Sequence, residues 1–225
     1  MRGTMTVFAN IAPTRGFSWL VFLTLALVLG LSAAIFVALV RRWTRSRLWV
    51  DISTWARRHG FRARVNLDVP PPPLDQLLPN AELHITAAVS NSAGGFFRIE
   101  SIGTTATAGA SPAPARWHVM VRSIEIEWTP TALRPAGAAS SFVDLYSLAS
   151  FPLMGETQRF VVFGTDSTPA RKLSKSSVRS LLPPDVGMLL TGRHLILDFS
   201  NRPFDPIEFE RMEALAASVA EHLPA

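Results

Sequence analysis

Phe17–Val40 reads FSWLVFLTLALVLGLSAAIFVALV and stops at Arg41-Arg42, inside twenty-five uncharged residues that separate Arg15 from Arg41. At about 1.5 Å rise per residue a helix over this stretch is roughly 36 Å long, enough to cross a hydrocarbon core of about 30 Å with some tilt. Trp19 near one end and Trp43 just past the other sit where amphipathic rings favour the headgroup level. A cleaved secretory signal is the competing reading, with Arg2 and Arg15 as its basic start and Ser32-Ala33-Ala34 as its cleavage site. The apolar run, however, continues through Ile35, Phe36, Val37, Leu39 and Val40 into an arginine cluster, the pattern of a stop-transfer boundary. We therefore expect a retained transmembrane helix over 17–40, preceded by a tail at 1–16.

Orientation follows from the arginines, because short flanks rich in Lys and Arg stay on the cytoplasmic side. Arg2 and Arg15 precede the span, whereas Arg41, Arg42, Arg45 and Arg47 follow it at once, with Arg57, Arg58, Arg62 and Arg64 beyond. The expectation is a single-pass protein of the bacterial inner membrane, N-terminus outside and C-terminal domain cytoplasmic. Between Arg41 and Arg64 eight arginines face one acid, Asp51, so this segment carries +7; the chain carries +5, and the remainder nets −2. The basic character is thus juxtamembrane, and Trp19, Arg41, Arg42, Trp43, Arg45 and Arg47 form the expected membrane interface with anionic headgroups as partners. No basic face with interleaved aromatic residues and no nucleic-acid module is present, so no nucleic-acid partner is expected.

Within the span, Ala26, Gly30, Ala34 and Ala38 recur every four residues and place small side chains on one stripe of the helix. Such a stripe lets a second helix approach closely, since packing of small residues replaces the hydrophobic drive in lipid. A helix–helix contact, with a second copy or another membrane subunit, is preferred over a stripe that merely faces lipid.

Some 175 residues remain beyond the span and its basic collar, the size of one ordinary domain. The chain has no cysteine, which removes disulfides, thiolate metal sites and a catalytic thiol. Twenty arginines against two lysines, Lys172 and Lys175, point to a bacterial source. Arg45–His59 continues the helical pattern with Leu48, Ile52, Trp55 and Ala56 on one face, giving a basic juxtamembrane helix over 41–60 whose apolar side either lies in the membrane interface or, the preferred reading, starts the domain core. Gly60 ends it and Phe61–Val65 continues as an extended segment. The four prolines Pro70–Pro73 make 69–74 a stiff linker.

Beyond the linker the period becomes two. Leu83, Ile85, Ala87 and Val89, then Phe96–Ile102 after the Gly94-Gly95 turn signal, predict a hairpin, and Gly103–Ala115 a loop. Trp117–Trp128 is the strongest strand. Its apolar parity switches from Trp117, Val119 and Val121 to Ile124, Ile126 and Trp128, so a bulge near Arg122-Ser123 is expected to keep both sets inward. A connection at Thr129–Ser141, strands at Gln158–Gly164 and Arg193–Phe199, and a short helix at Ser174–Leu182 follow. The last helix has Asp205 as N-cap, Pro206 in its first turn and Glu208 in capping-box position, with Met212, Leu215, Ala216, Val219 and Leu223 as its apolar stripe. The predicted fold is α+β: one transmembrane helix, then one mostly antiparallel sheet domain over 61–225 with a juxtamembrane helix and a C-terminal packing helix.

Catalytic grammar is thin. His59, His84, His118, His194 and His222 show no metal-ligand spacing, and neither a phosphate-cradling glycine loop nor a G-x-S-x-G elbow occurs. Glu125 and Glu127 share one strand face and read as solvated. No cofactor, no metal and no enzymatic activity are expected. The leading reading is a structural or interaction protein, an accessory subunit that stabilises a larger bacterial membrane complex, with a respiratory or photosynthetic complex as its specific version. The alternative is a membrane-tethered enzyme or ligand-binding domain whose site is assembled from distant residues, with His118, Glu125 and Glu127, or Asp198 with His194, as candidates.

Overall fold

The computed structural model describes residues 15–77, 83–101, 116–138, 141–146, 153–156 and 159–224. The expected tail up to residue 14 and the loop at Gly103–Ala115 lie outside them. Contacts divide the chain into two units, Met1–Leu48 and Trp49–Ala225.

The first element, α1, runs unbroken over Arg15–Arg58, so the expected span and juxtamembrane helix are one helix. Nothing between Val40 and Gly60 breaks it: this stretch contains no proline or glycine. It stops where Gly60 takes φ +75° and the Phe61 N–H donates to the Ala56 carbonyl at 2.8 Å, the six-to-one bond of a glycine-terminated helix. Within α1, Phe22–Val40 has mean hydropathy 2.7 and is long and apolar enough to cross a membrane.

The second unit is an antiparallel sheet of seven strands packed with helices, the α+β class expected. Its strands are β1 (Arg62–Leu67), β2 (Leu83–Asn91), β3 (Gly94–Ser101), β4 (Arg116–Pro135), β5 (Leu153–Glu156), β6 (Phe160–Gly164) and β7 (Gly187–Asp198). The helices are α2 (Leu74–Leu77), α3 (Ser167–Lys175), α4 (Val178–Leu181) and α5 (Pro206–Glu221), with a 3-10 turn at Phe142–Tyr146. The central strand is β4. β7 follows one edge from Val119 to Leu133, while the other edge is shared, β3 pairing with Arg116–Arg122 and β6 with Thr131–Pro135. β2 and β1 extend the first wing and β5 the second.

Both sheet faces are covered. Ile85, Phe97, Ile99 and Val119 meet Leu74, Phe142 and Val143 on one side. The proline run thus does more than space: it delivers Leu74, fully buried, to the core. On the other side Phe96 stacks on Phe209 of α5 at 4.4 Å and meets Trp55 of α1 edge-on at 5.8 Å. Ile52, Trp55 and Ala56 are all buried, which settles the apolar face of residues 49–58 as core.

Several boundaries move. The turn falls at Ser92-Ala93, where Asn91 Oδ1 accepts from the N–H groups of Ala93 and Gly94 at 2.9 and 3.2 Å, and Gly95 already lies in β3. These glycines answer a steric demand: a Cβ on Gly94 would sit 2.0 Å from the Val121 carbonyl oxygen, and one on Gly95 2.5 Å from that of Val89. β4 continues through Thr129–Pro135, read from sequence as a connection, and β7 begins six residues before Arg193. The single helix expected at Ser174–Leu182 is two, α3 capped by the Asp166 side chain on the Thr168 N–H and α4 after a break at Ser176-Ser177. The parity switch of β4 delivers Trp128 to the core but leaves Ile126 39 % exposed, because four residues, Ile124–Glu127, stand against Arg193 alone between the pairs Ser123–His194 and Trp128–Gly192. Asp205 caps α5 through the Glu208 N–H at 3.0 Å. The Glu208 carboxylate, expected to return to the cap, is instead taken by Arg202 and Arg211.

Candidate functional site

Every side chain from Phe22 to Val40 is exposed, in a helix without one charged residue over that interval. Ala26, Gly30, Ala34 and Ala38 belong to it, and a Cβ on Gly30 would meet nothing within 4 Å. Steps of four residues advance about 40° around an α-helix, so the four positions wind along its surface and present a ridge of the kind that packs into another helix at an inclined crossing. Trp19 is 72 % exposed. Trp43 is exposed too, and the Arg47 guanidinium lies over its ring at 3.8 Å, joining two expected interface residues in a cation–π contact. The backbones of Arg41, Arg42 and Arg45 are in α1; their side chains lie outside the described residues.

In the sheet domain the candidates separate. His118 and Glu125 are seven residues apart on one strand, about 23 Å, so the trio His118, Glu125 and Glu127 forms no common site. Glu125 and Glu127 are exposed, as expected. Asp198 and His194 are not joined either. The Asp198 carboxylate is buried and saturated: Oδ2 accepts from Ser141 Oγ and the Phe142 N–H, each at 2.6 Å, and Oδ1 accepts from the Ser200 N–H at 3.1 Å and the Ser200 hydroxyl. It pins the 3-10 turn to the end of β7. Arg134 braces the same turn through Asp144 at 2.7 Å, a bond that raises the Arg134 pKa.

His118 is 7 % exposed between the rings of Phe199 and Phe204. Its Nδ1 lies 2.8 Å from the Arg202 carbonyl, which makes Nδ1 the protonated nitrogen, and Nε2 is buried with no hydrogen-bond partner among the described residues. Burial lowers its pKa below the ordinary 6.5, and the Arg98 and Arg116 charges push the same way against the Arg202 carbonyl and Asp198. Arg202, the residue His118 reads, is held by both Asp185 oxygens at 2.7 and 2.8 Å and by Glu208 at 3.3 Å. That pairing raises the Arg202 pKa and lowers the Asp185 pKa. These groups lock the turn between β7 and α5. Sequence reasoning missed this network because His118 reaches it from afar, its N–H donating to Ser200 Oγ across 82 positions and its ring meeting the Arg202 carbonyl across 84.

Three concavities surround the irregular middle of β4. The largest, about 800 Å³, has Ile124, Ile126, Ala217 and Leu223 as apolar lining, with Arg193 and His194 beside them. A second of about 280 Å³ lies by the hairpin tip at Asn91, Gly94 and Ser123, and a third of about 180 Å³ by Glu127, Trp128 and Thr168. None includes His118 or Asp198.

No protein-family model matches the sequence, and no curated protein matches it. Among solved structures, the chain is similar to the crystal structure of the mycobacterial trehalose monomycolate transport factor A, at 12 % identity and a TM-score of 0.52, over 79 % of this chain and 96 % of that one. The likeness is one of fold.

Proposed function

We propose that this chain is a membrane-anchored accessory protein of a bacterial membrane assembly, non-catalytic in itself, held by α1 and docking through α1 and its sheet domain. One observation carries the reading: nineteen consecutive residues, Phe22–Val40, expose an apolar helix without a charge, whereas the domain that follows exposes large apolar side chains only singly. Water does not tolerate such a surface; lipid and a partner helix do. The winding stripe of Ala26, Gly30, Ala34 and Ala38 supports a helix partner, and Arg41, Arg42, Arg45 and Arg47 support anionic headgroups with the sheet domain in the cytoplasm. The saturated carboxylate of Asp198 and the engaged Nδ1 of His118 support a structural use of the polar residues that would otherwise suggest chemistry. Of possible hosts, the fold likeness to a transport factor favours a transport assembly over the respiratory or photosynthetic one expected from sequence. Purification of the full chain from its native membrane in mild detergent, followed by mass spectrometry of what co-migrates, tests this. A stoichiometric set of membrane subunits is expected; a lone monomer would contradict it.

A further inference from the structure

Among the described residues, two of the open strand edges of this domain match each other. Among the described residues, Ile124–Glu127 has a ladder partner on neither side: β3 ends its pairing at Arg122, β6 begins at Thr131, and β7 skips from His194 to Gly192. The gap from Arg122 to Thr131 spans about 30 Å of extended chain. Its ends are closed by the Ser123 N–H on the Ala93 carbonyl and the Thr165 N–H on the Pro130 carbonyl. Concavities lie at its two ends, one at the hairpin tip by Ser123 and one at Trp128 and Thr129. The segment reads Ile-Glu-Ile-Glu, and neither Glu125 nor Glu127 makes an ion pair among the described residues.

The edge that matches it is β1, which pairs only with β2 among the described strands, as β5 pairs only with β6 and β7 only with β4. Arg62-Ala63-Arg64-Val65 alternates charge and apolar group in the same period; Arg62 and Arg64 are exposed without an ion pair among the described residues, and Val65 is 56 % exposed. We infer that β1 of one copy adds as an antiparallel strand to Ile124–Glu127 of a second copy. Antiparallel addition places Arg62 opposite Glu127, Ala63 opposite Ile126, Arg64 opposite Glu125 and Val65 opposite Ile124, so all four positions match at once. A slip of one residue sets the arginines against Ile126 and Ile124, or against Trp128 and Ile126, and so disfavours both neighbouring registers. Arginines on an edge strand deter pairing with neutral or basic edges, and here they select the edge that carries carboxylates. Donor and acceptor are different surfaces of one chain, so association is head-to-tail and builds rings or open chains. The inference needs no foreign partner and stands whether or not the accessory reading does.

The absence of native cysteine makes the test clean. Two full-length chains with different tags, one carrying Ala63→Cys and the other Ile126→Cys, are co-expressed in membranes and oxidised. A cross-linked heterodimer is expected in excess over either like pair. Glu125→Arg with Glu127→Arg in the second chain should cut it at least fivefold, and Arg62→Glu with Arg64→Glu in the first should restore it. Cross-linking that is absent, equal in like pairs, or insensitive to both charge reversals would overturn the inference. Sedimentation of the cysteine-free chain in mild detergent gives an independent reading, with concentration-dependent species above the monomer expected and a monomer at all concentrations contradicting it.

Discussion

Phe22–Val40 and β4 are two apolar stretches of similar length with opposite fates. The first exposes every side chain; the second buries Trp117, Val119, Met120, Val121, Trp128, Ala132 and Leu133. A run of nineteen residues with no charge and only Thr24 and Ser32 as polar side chains has no hydrophilic side to turn to water, so its helix needs a nonaqueous solvent or partner. β4 mixes Arg122, Glu125 and Glu127 among its apolar residues and finds its solvent in the same domain. The stretches differ in where burial comes from, and each variant below attacks one source and spares the other.

The largest effect is expected in the span. Leu27→Arg with Leu31→Arg adds about 5–7 kcal/mol to insertion on a translocon scale. The chain should leave alkali-washed membranes, while the domain keeps its cooperative unfolding by circular dichroism. Loss of both together would mean that the two regions are not separable. In the domain, Phe96→Ala removes a fully buried ring that contacts Phe61, Trp55, Phe199 and Phe209. A cost of about 3–5 kcal/mol is expected from chemical denaturation, with membrane retention unchanged.

A smaller effect comes from His118. Its pKa is lowered on folding, so the unfolded chain binds more protons below the ordinary value of 6.5 and stability falls as the pH drops through that value. Denaturant midpoints measured from pH 7.5 to 5 should decline, and His118→Asn, which keeps a donor for the Arg202 carbonyl, should flatten that decline while costing about 1 kcal/mol at neutral pH. An unchanged slope would remove His118 as its source. Asp185 has the same sign at a lower pH: its carboxylate is favoured by Arg202, so that contribution is lost only as the pH falls below the ordinary carboxylate range. Gly30→Leu is expected to do least within the chain, since a side chain there meets nothing within 4 Å. It should leave insertion and domain stability as they are and weaken co-migration with partner subunits; full co-migration would show that the stripe packs against nothing.

Much of this was legible in sequence because local physics wrote it. The apolar run, the Asp205 cap, Gly60 as a helix stop and the first hairpin depend on neighbours within a few residues. What was missed depends on distant ones. Pro130 and Pro135 argued for a connection, yet β4 passes through both, since β6 and β7 flank it there. Ile126 follows the alternation of its neighbours and is still exposed, because the bulge against Arg193 is set by the pairing of β7 and not by β4's own pattern. Asp198 looked available for chemistry at the end of its strand, and its partners Ser141 and Phe142 lie 57 and 56 residues away.

Intact mass of the chain recovered from alkali-washed native membranes tests the central claim most directly. A membrane-retained species that still contains Phe22–Val40 is expected. A species shortened to begin after Ala34, or a full-length chain released into the alkaline wash, would contradict it.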